Sequence, residues 1–337
     1  VAGAPSAFPQ VYLRDIEGAA TILASVTPSG VAGDGDSLFP VLSADGGRLL
    51  FATSAPNLLA GVTLGRALSK TARVLLARDM ATGALAVVDM NAAGTATGNG
   101  AIDTSTPPSI SADGRHVVFS SSATDLVAGI KTSGMQVFVR DLVAGTTRLV
   151  SVNSAGTGGA TGGAQGGAIT PDGRSVVFVS AAKDLVGQAT GGKKQVYVRD
   201  LVAGTTRLVS LDATGTAGGA GDCARVVVSA DGDTVVFTSA AKNLVAGGST
   251  AAWGLFVRRL SAGTTTMVSG DLGAAGALSW PSVSRDGGRV AFSQTKQMYL
   301  WTRGSGTTLV STRADGGGPA GITGVKYGSV SPTLDAA

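Results

Sequence analysis

Few residues of this sequence have types and spacings that could support catalysis. His116 is the only histidine and Cys223 the only cysteine among 337 residues. A Ser-His-Asp site would have to use His116, and the sequence has no Gly-x-Ser-x-Gly motif to hold a nucleophilic serine. A lone cysteine also rules out a thiolate metal cluster and an intrachain disulfide. We therefore predict no catalytic residues and no enzyme activity.

Two carboxylates, Asp34 and Asp36, stand at positions i and i+2 in the segment Gly-Asp-Gly-Asp-Ser. Calcium loops use oxygen ligands at this spacing, but no third acidic residue follows in the pattern that such loops need. Calcium binding at Asp34 and Asp36 is therefore a weak candidate beside an ordinary solvated turn. We predict no other cofactor and no other metal site.

The elements that carry these residues belong to a unit that recurs along the chain. Asp-Gly pairs occur at spacings of 55 to 68 residues, at Asp45-Gly46, Asp113-Gly114, Asp172-Gly173, Asp231-Gly232 and Asp286-Gly287. A short apolar-polar run precedes each pair, and a β-branched run ending in Phe follows it. Asp-Gly favours a tight turn, so each pair predicts a strand-turn-strand hairpin. A third strand and, after a turn with a fixed Gly, a fourth complete each unit.

Four antiparallel strands per unit, called A to D, predict an all-β, six-bladed β-propeller of four-stranded blades. The segment 11–26 matches strands C and D, and Ser329 to Pro332 matches strand A, so we expect one blade to be closed by strands from both termini. The whole chain, 1–337, is then a single domain. The predicted blades are blade 1 (10–30 plus 325–337), blade 2 (38–92), blade 3 (106–153), blade 4 (167–212), blade 5 (224–271) and blade 6 (279–313).

The units Ser-x-Asp-Gly-(Arg)-x-Val-x-Phe, followed by Val-(Phe/Tyr)-Val-Arg-Asp, resemble the repeats of TolB-like six-bladed propellers over about residues 10–332. The resemblance implies the fold. It implies no single activity, because that family includes protein-binding scaffolds, lectin-like proteins and accessory domains of peptidases.

Composition narrows the class of partner. The net charge of +4 is spread along the chain without a basic run, so nucleic acid is not an expected partner. No segment approaches the about 20 apolar residues of a membrane helix. The first residues, Val-Ala-Gly-Ala, suit a mature N-terminus left after removal of a signal peptide. The Ala/Gly/Thr/Val bias is typical of a GC-rich bacterial genome. Low lysine content, Gly/Thr-rich loops and the resemblance to TolB-like propellers favour a protein of the periplasm or the secreted fraction.

Loop length indicates where binding should occur. The A–B and C–D turns are short and uniform, whereas the B–C loops and D–A crossovers at the other end are long and varied. Each blade contributes one residue, at the start of strand A, to a candidate channel mouth. We predict that the bulky residues at this position, together with Trp253 of strand C, form the binding site. The alternative is that these side chains pack the inner strands together. The strand A position holds Phe39, Pro107, Gly166, Arg225, Trp280 and Tyr327, of which Phe39, Arg225, Trp280 and Tyr327 are the predicted contacts.

Other recurring features are interpreted as structural. The Leu after Asn or Asp in each long B–C loop should plug the blade rim, and the Gly-rich crossovers should act as mobile spacers. The Asp of each Arg-Asp pair that ends strand C should cap a turn, and this capping Asp is lost at Arg258-Arg259 and at Thr302-Arg303.

The absence of a catalytic constellation predicts a non-catalytic extracytoplasmic scaffold that binds a protein partner, as a subunit or accessory of a larger assembly. The alternatives are a carbohydrate-binding, lectin-like propeller and, more weakly, a hydrolase or lyase that uses carboxylates alone.

Overall fold

The computed structural model describes residues 7–269, 281–294 and 297–312. These residues form 22 β-strands and a single 3-10 helix, Pro56–Leu59. No helix in this part of the chain is long and apolar enough to cross a membrane. The strands form six antiparallel sheets, and each sheet takes its strands consecutively from the sequence.

The six sheets follow one another along the chain. Sheet 1 contains β1 (Tyr12–Asp15) and β2 (Ala20–Leu23). Sheet 2 contains β3 (Ser37–Leu42), β4 (Arg48–Thr53), β5 (Val74–Asp79) and β6 (Leu85–Val87). Sheet 3 contains β7 (Ser109–Ile110), β8 (His116–Ser121), β9 (Gln136–Asp141) and β10 (Thr146–Leu149).

The second half of the chain follows the same plan. Sheet 4 contains β11 (Ala164–Ile169), β12 (Ser175–Ser180), β13 (Gln195–Asp200) and β14 (Thr205–Leu208). Sheet 5 contains β15 (Cys223–Val228), β16 (Thr234–Ser239), β17 (Gly254–Arg259) and β18 (Thr264–Met267). Sheet 6 contains β19 (Ser282–Val283), β20 (Arg289–Gln294), β21 (Gln297–Thr302) and β22 (Gly306–Leu309).

The predicted Asp-Gly hairpins are confirmed, and their hydrogen bonds explain the recurring Ser-x-Asp-Gly motif. Ser43 Oγ donates to Asp45 Oδ1 at 2.5 Å and accepts from the backbone N–H of Arg48 at 2.9 Å. Asp45 Oδ1 also accepts from the N–H of Gly47 at 2.9 Å, and Gly46 has a φ of 71°. The same Ser-to-Asp bond recurs in Ser111–Asp113, Ser229–Asp231 and Ser284–Asp286.

Strands B and C supply the core. Their aromatic residues stand directly opposite one another in four sheets and stack at centroid distances of 5.6 to 5.9 Å. These pairs are Phe119–Phe138, Phe178–Tyr197, Phe237–Phe256 and Phe292–Tyr299. In sheet 2 the buried pair is Phe51 and Leu76. The β-branched runs of the sequence are therefore the buried faces of these strands.

The chain divides into two compact units. The first comprises residues 1–159 and 171–173, and the second comprises 160–170 and 174–337. In the first unit, one cluster of buried side chains joins sheets 1 and 2, and another joins sheets 2 and 3. In the second unit, equivalent clusters join sheet 4 to sheet 5 and sheet 5 to sheet 6. Consecutive sheets of each unit thus pack face to face, as propeller blades do.

The all-β, six-bladed propeller prediction is confirmed by six successive antiparallel sheets, five of which have four strands among the described residues. Sheet 1 contributes two strands there. Its predicted completion by 325–337, including Ser329 to Pro332, lies outside the described residues. Closure by both termini and the boundary of blade 1 therefore stay predictions.

Candidate functional site

A neutral polar pair fixes the start of strand C in most sheets. A Ser at the end of strand D accepts a hydrogen bond from a backbone N–H group near the start of strand C. The same Ser hydroxyl donates a hydrogen bond to the side chain of a Gln, which is the residue immediately before the one that carries this N–H. In sheet 4, Ser210 Oγ accepts from Val196 at 2.9 Å and donates to Gln195 Oε1 at 2.5 Å. Gln195 Nε2 then donates to the carbonyl of Gly219 in the crossover at 2.8 Å. The equivalent Ser–Gln pairs are Ser25–Gln10, Ser151–Gln136 and Ser311–Gln297.

Sheet 2 replaces this pair with an ion pair. Val74 occupies the Gln position and Asp89 the Ser position, and Asp89 Oδ1 accepts from the N–H of Leu75 at 2.9 Å. The Arg66 guanidinium enters from the B–C loop: its Nη2 lies 2.8 Å from Asp89 Oδ2, and its Nη1 donates to the carbonyl of Gly98 at 2.5 Å. Arg66 thus makes the crossover contact that Gln195 makes in sheet 4, with a charged group.

The B–C loop of sheet 2 is built to deliver Arg66. Residues 54–73 form a loop six residues longer than 122–135 in sheet 3. The loop is held against its own crossover, where Thr97 N donates to the carbonyl of Thr63 at 2.9 Å and Gly65 N to Thr97 Oγ1 at 2.9 Å. A Cβ on Gly65 would lie 2.0 Å from the Thr97 carbonyl oxygen, so only glycine allows this approach. Arg66 therefore has a fixed position.

Burial sets the electrostatics of the ion pair. The Asp89 side chain has no exposed surface and that of Arg66 is 10% exposed. Burial raises the pKa of Asp89 above its ordinary value, because desolvation disfavours the charged carboxylate, and Arg66 opposes this shift. A perturbed carboxyl with a specific cationic partner is a common feature of functional sites.

A second pair, Arg73 and Asp36, completes the cluster. Arg73 Nη2 lies 3.5 Å from Asp36 Oδ2, and the two side chains are 8% and 12% exposed. The backbone carbonyl of Arg73 also accepts from Arg66 Nη2, which links the pairs. The Nε atoms of both arginines are buried, and neither has a hydrogen-bond partner among the described residues. Guanidinium groups only donate hydrogen bonds, so the partner that the two Nε–H groups of this sheet 2 cluster (Asp36, Arg66, Arg73 and Asp89) lack is an acceptor oxygen, such as that of a carboxylate, phosphate or water.

The predicted strand A position is a β-bulge. The pairing of strands A and B shifts register between Leu38 and Val41 in sheet 2, and at the equivalent points of sheets 4 and 5. The bulged residues Phe39, Gly166 and Arg225 have φ values of 57°, 65° and 47°. Phe39 is 37% exposed, whereas Arg225 is half-buried. Pro107 lies in a longer irregular segment before β7.

Of the other predicted site residues, the structure describes Trp253, Asp34 and Asp36. Trp253, the residue immediately before β17, is 42% exposed. Trp280 and Tyr327 lie outside the described residues. The Asp34 carboxylate accepts from the N–H of Asn57 at 3.2 Å, while Asp36 faces Arg73. No group of three His, Cys, Asp or Glu side chains comes together in the part of the chain described, and calcium at Asp34 and Asp36 stays a prediction.

The predicted caps and plugs of the B–C loops are confirmed. The four Leu residues are at most 4% exposed, and the Asn or Asp before each binds the preceding crossover. In the second unit, Asn243 Oδ1 accepts from the N–H of Ala220 at 2.7 Å and Asp184 Oδ1 from that of Thr161 at 3.1 Å. The Leu residues are Leu58, Leu126, Leu185 and Leu244.

The expectation that the crossovers are mobile spacers is wrong. The crossover of residues 153–158 is a hydrogen-bonded turn: Asn153 N donates to the carbonyl of Gly158 at 2.9 Å, and Asn153 Oδ1 accepts from the N–H of Thr157 at 3.0 Å. Asp212 makes the same contacts with Ala217 and Thr216. Glycine supplies turn geometry here, since Gly156 and Gly215 have φ values of 72° and 73°.

The Arg-Asp pairs at the end of strand C are structural, as predicted. Asp141 accepts from the backbone N–H groups of Val143 and Ala144 at 2.9 Å each and from Arg115 at 2.7 Å. The hydrogen bond from Arg115 lowers the pKa of Asp141 to about 2. His116 Nε2 lies 3.6 Å from the same carboxylate, so the single histidine belongs to this turn.

The capping aspartate of strand C is lost at Arg258-Arg259, as predicted, but an aspartate at another position replaces it. In sheet 5 the charges are exchanged: Asp233 stands where Arg115 and Arg174 stand in sheets 3 and 4, and Arg259 replaces the strand C aspartate. Arg259 Nη2 lies 2.9 Å from Asp233 Oδ2, and Asp233 Oδ1 accepts from the N–H of Ser261 at 2.6 Å. The turn after strand C is therefore capped by Asp233, the residue before β16, instead of by an aspartate of strand C.

Sequence reasoning missed three of the four cluster residues, Arg66, Arg73 and Asp89. The available signal was a break in the repeat, because Val74 and Asp89 interrupt a Gln and Ser pattern that four other units keep. Asp36 was singled out, but as a calcium ligand.

No protein-family model and no curated protein sequence matches the chain. Among solved structures it is similar to a putative TolB from Agrobacterium tumefaciens (TM-score 0.50, 16% identity, 89% of this chain and 87% of that one). It is also similar to an oligogalacturonate lyase from Vibrio parahaemolyticus (TM-score 0.54, 12% identity, 92% and 74%). A TolB from Acinetobacter baumannii matches with a TM-score of 0.47 and 17% identity over 86% of this chain, which spans only 56% of that protein.

These structures correct two predictions. A non-catalytic scaffold without enzyme activity was inferred from the fold and the missing triad, yet an oligogalacturonate lyase has a similar fold. Both predictions are therefore wrong. Enzymes share this fold, so the fold and the missing triad do not exclude catalysis. At these identities the comparisons establish architecture: the chain has the fold of the TolB-like six-bladed β-propellers.

Proposed function

We propose that the protein binds a carboxylate-bearing ligand at the sheet 2 cluster, with acidic oligosaccharides as the class to test first. The observation that carries the proposal is the pair of buried Nε atoms on Arg66 and Arg73 that have no acceptor among the described residues. A buried donor without a partner costs about 1–3 kcal/mol, so an acceptor from a ligand would recover that free energy.

The chemistry of the cluster favours a carboxylate. Arginine presents its donors in a planar fork that matches the two oxygens of a carboxylate. Arg66 is committed to Asp89, Gly98 and the Arg73 carbonyl, whereas Arg73 contacts Asp36 only at 3.5 Å. Arg73 is therefore the residue best able to receive the ligand, and Arg66 holds it in place.

The similarity of fold to an oligogalacturonate lyase supports the choice of ligand class. Oligogalacturonate carries one carboxylate on each sugar ring, so a single unit could present its acid to Arg73. The proposal concerns binding, and the same experiment measures whether the sugar chain is cleaved.

The test is isothermal titration calorimetry with oligogalacturonates, against neutral oligogalactose of the same length. The unaltered protein should bind only the acidic series. Arg73→Gln should raise the Kd roughly 10- to 100-fold, since a charged hydrogen bond contributes about 1.5–3 kcal/mol. Arg73→Lys keeps the charge without the fork and should be intermediate. The control is Arg174→Gln, which removes a 57% exposed arginine of sheet 4.

Thermal unfolding of each variant separates a lost contact from a lost fold. Equal affinity of the unaltered protein and a folded Arg73→Gln variant, or equal binding of neutral and acidic sugars, would refute the proposal. Mass spectrometry of the sugars after incubation shows whether they become shorter.

A protein partner in a larger assembly and a location in the periplasm or outside the cell remain predictions from the sequence. Fractionation of cells that express the full gene, followed by affinity capture from the fraction that contains the protein, tests both.

A further inference from the structure

The strand A bulge gives the same backbone conformation to different residue types. Phe39 in sheet 2 and Gly166 in sheet 4 occupy equivalent bulge positions, with φ values of 57° and 65°. Glycine adopts positive φ without steric cost, whereas a bulky L-residue there is an outlier. Gly166 therefore occupies the bulge without strain, whereas Phe39 in sheet 2 and Arg225 in sheet 5, with a φ of 47°, are retained despite the strain.

The Phe39 ring lies partly outside the buried core. Its side chain is 37% exposed, and it is absent from the clusters of buried residues that join sheet 2 to its neighbours. Exposed aromatic rings offer large contact area at low entropic cost. Residues held in strained conformations are frequent at binding sites, and bulges can redirect a side chain there.

Phe39 also lies close to the sheet 2 cluster along the chain. It follows Asp36 by three residues, which places their Cα atoms within about 10 Å of each other in extended backbone. We infer that Phe39 is a stacking surface for the sugar ring of the ligand whose carboxylate is bound by Arg73. This inference rests on the proposed function. The ring face of a sugar carries C–H groups, which pack on an aromatic face.

The experiment combines affinity and stability. Phe39→Gly should raise the Kd for oligogalacturonate roughly three- to tenfold, the usual size of an aromatic contact. The same variant should raise the Tm by about 1–3 °C because the positive φ no longer strains the backbone. Phe39→Trp keeps an aromatic face and should keep the affinity. The control is Ala19→Gly in the turn of sheet 1, where φ is 49°; it should raise the Tm and leave the Kd unchanged.

The outcomes separate this inference from the proposed function. If Phe39→Gly binds as tightly as the unaltered protein while Arg73→Gln loses affinity, the stacking role is overturned and the carboxylate site stands. A lower Tm for Phe39→Gly would show that the ring stabilises the fold, which would also overturn the inference. If the unaltered protein binds no acidic sugar, both proposals fail.

Discussion

Sheets 2 and 4 have the same strand order and the same bulge in strand A, yet they solve the same local problems with different chemistry. At the start of strand C, sheet 4 uses the neutral pair Gln195 and Ser210, whereas sheet 2 uses the buried charges of Arg66 and Asp89. At the bulge, sheet 4 has glycine and sheet 2 has Phe39. Sheet 4 shows how the fold meets both requirements without a buried charge or a bulky residue at positive φ, and the departures in sheet 2 are the basis of the proposed binding site.

The first prediction concerns the different cost of disrupting the two arrangements. Asp89→Ala leaves Arg66 buried without its counter-ion and should lower the free energy of unfolding by about 3–5 kcal/mol. Ser210→Ala removes neutral hydrogen bonds in sheet 4 and should cost about 1 kcal/mol. Urea denaturation of both variants measures the difference. Equal losses would show that the sheet 2 pair behaves like its neutral counterpart.

The second prediction concerns the effect of acid on the partly exposed ion pair of sheet 3, Arg115 and Asp141. The folded pKa of Asp141, about 2, lies below the unfolded value of about 3.9. Its carboxylate therefore stabilises the fold above about pH 4, and this stabilisation is lost as the pH falls towards 2. Because Arg115 is 44% exposed, screening limits the contribution to about 1 kcal/mol.

Asp141→Asn should reduce the loss of stability between about pH 5 and pH 2 relative to the unaltered protein, as measured by urea denaturation across that range. Identical slopes would contradict the assigned role of Arg115 and Asp141.

The third and smallest effect concerns the exchanged charges of sheet 5. Asp233→Arg combined with Arg259→Asp recreates the order found at Arg174 and Asp200 and should change stability by less than about 0.5 kcal/mol. Asp233→Ala alone loses the cap of Ser261 and should cost about 1 kcal/mol. Thermal unfolding distinguishes them, and a double variant as unstable as the single one would show that the pair is not interchangeable.

The repeat predicted most of the fold because local chemistry decides it. Asp45-Gly46 and its counterparts specify turns, and the alternating runs specify strands, so the hairpins and plugs could be read from the sequence. The crossovers were mispredicted because glycine content was taken as flexibility, although Asn153 and Asp212 order these turns.

The sheet 2 cluster could not be read in the same way. Arg66 and Asp89 lie 23 residues apart and meet only because a long loop folds onto its own crossover. The strain at Phe39 is a property of the backbone dihedral, which residue types do not reveal. The pairing of Asp233 with Arg259 likewise could not be read from the sequence, because it depends on the register between β16 and β17.

The central claim is that sheet 2 differs from the other sheets in order to bind an acidic ligand, and one variant tests it directly. Arg66→Ala, Val74→Gln and Asp89→Ser together restore the neutral pair of sheet 4 without leaving a buried charge unpaired. Calorimetric titration with oligogalacturonate should show a Kd at least tenfold higher for this variant, while its urea midpoint stays close to that of the unaltered protein. An unchanged Kd in the folded variant would contradict the account.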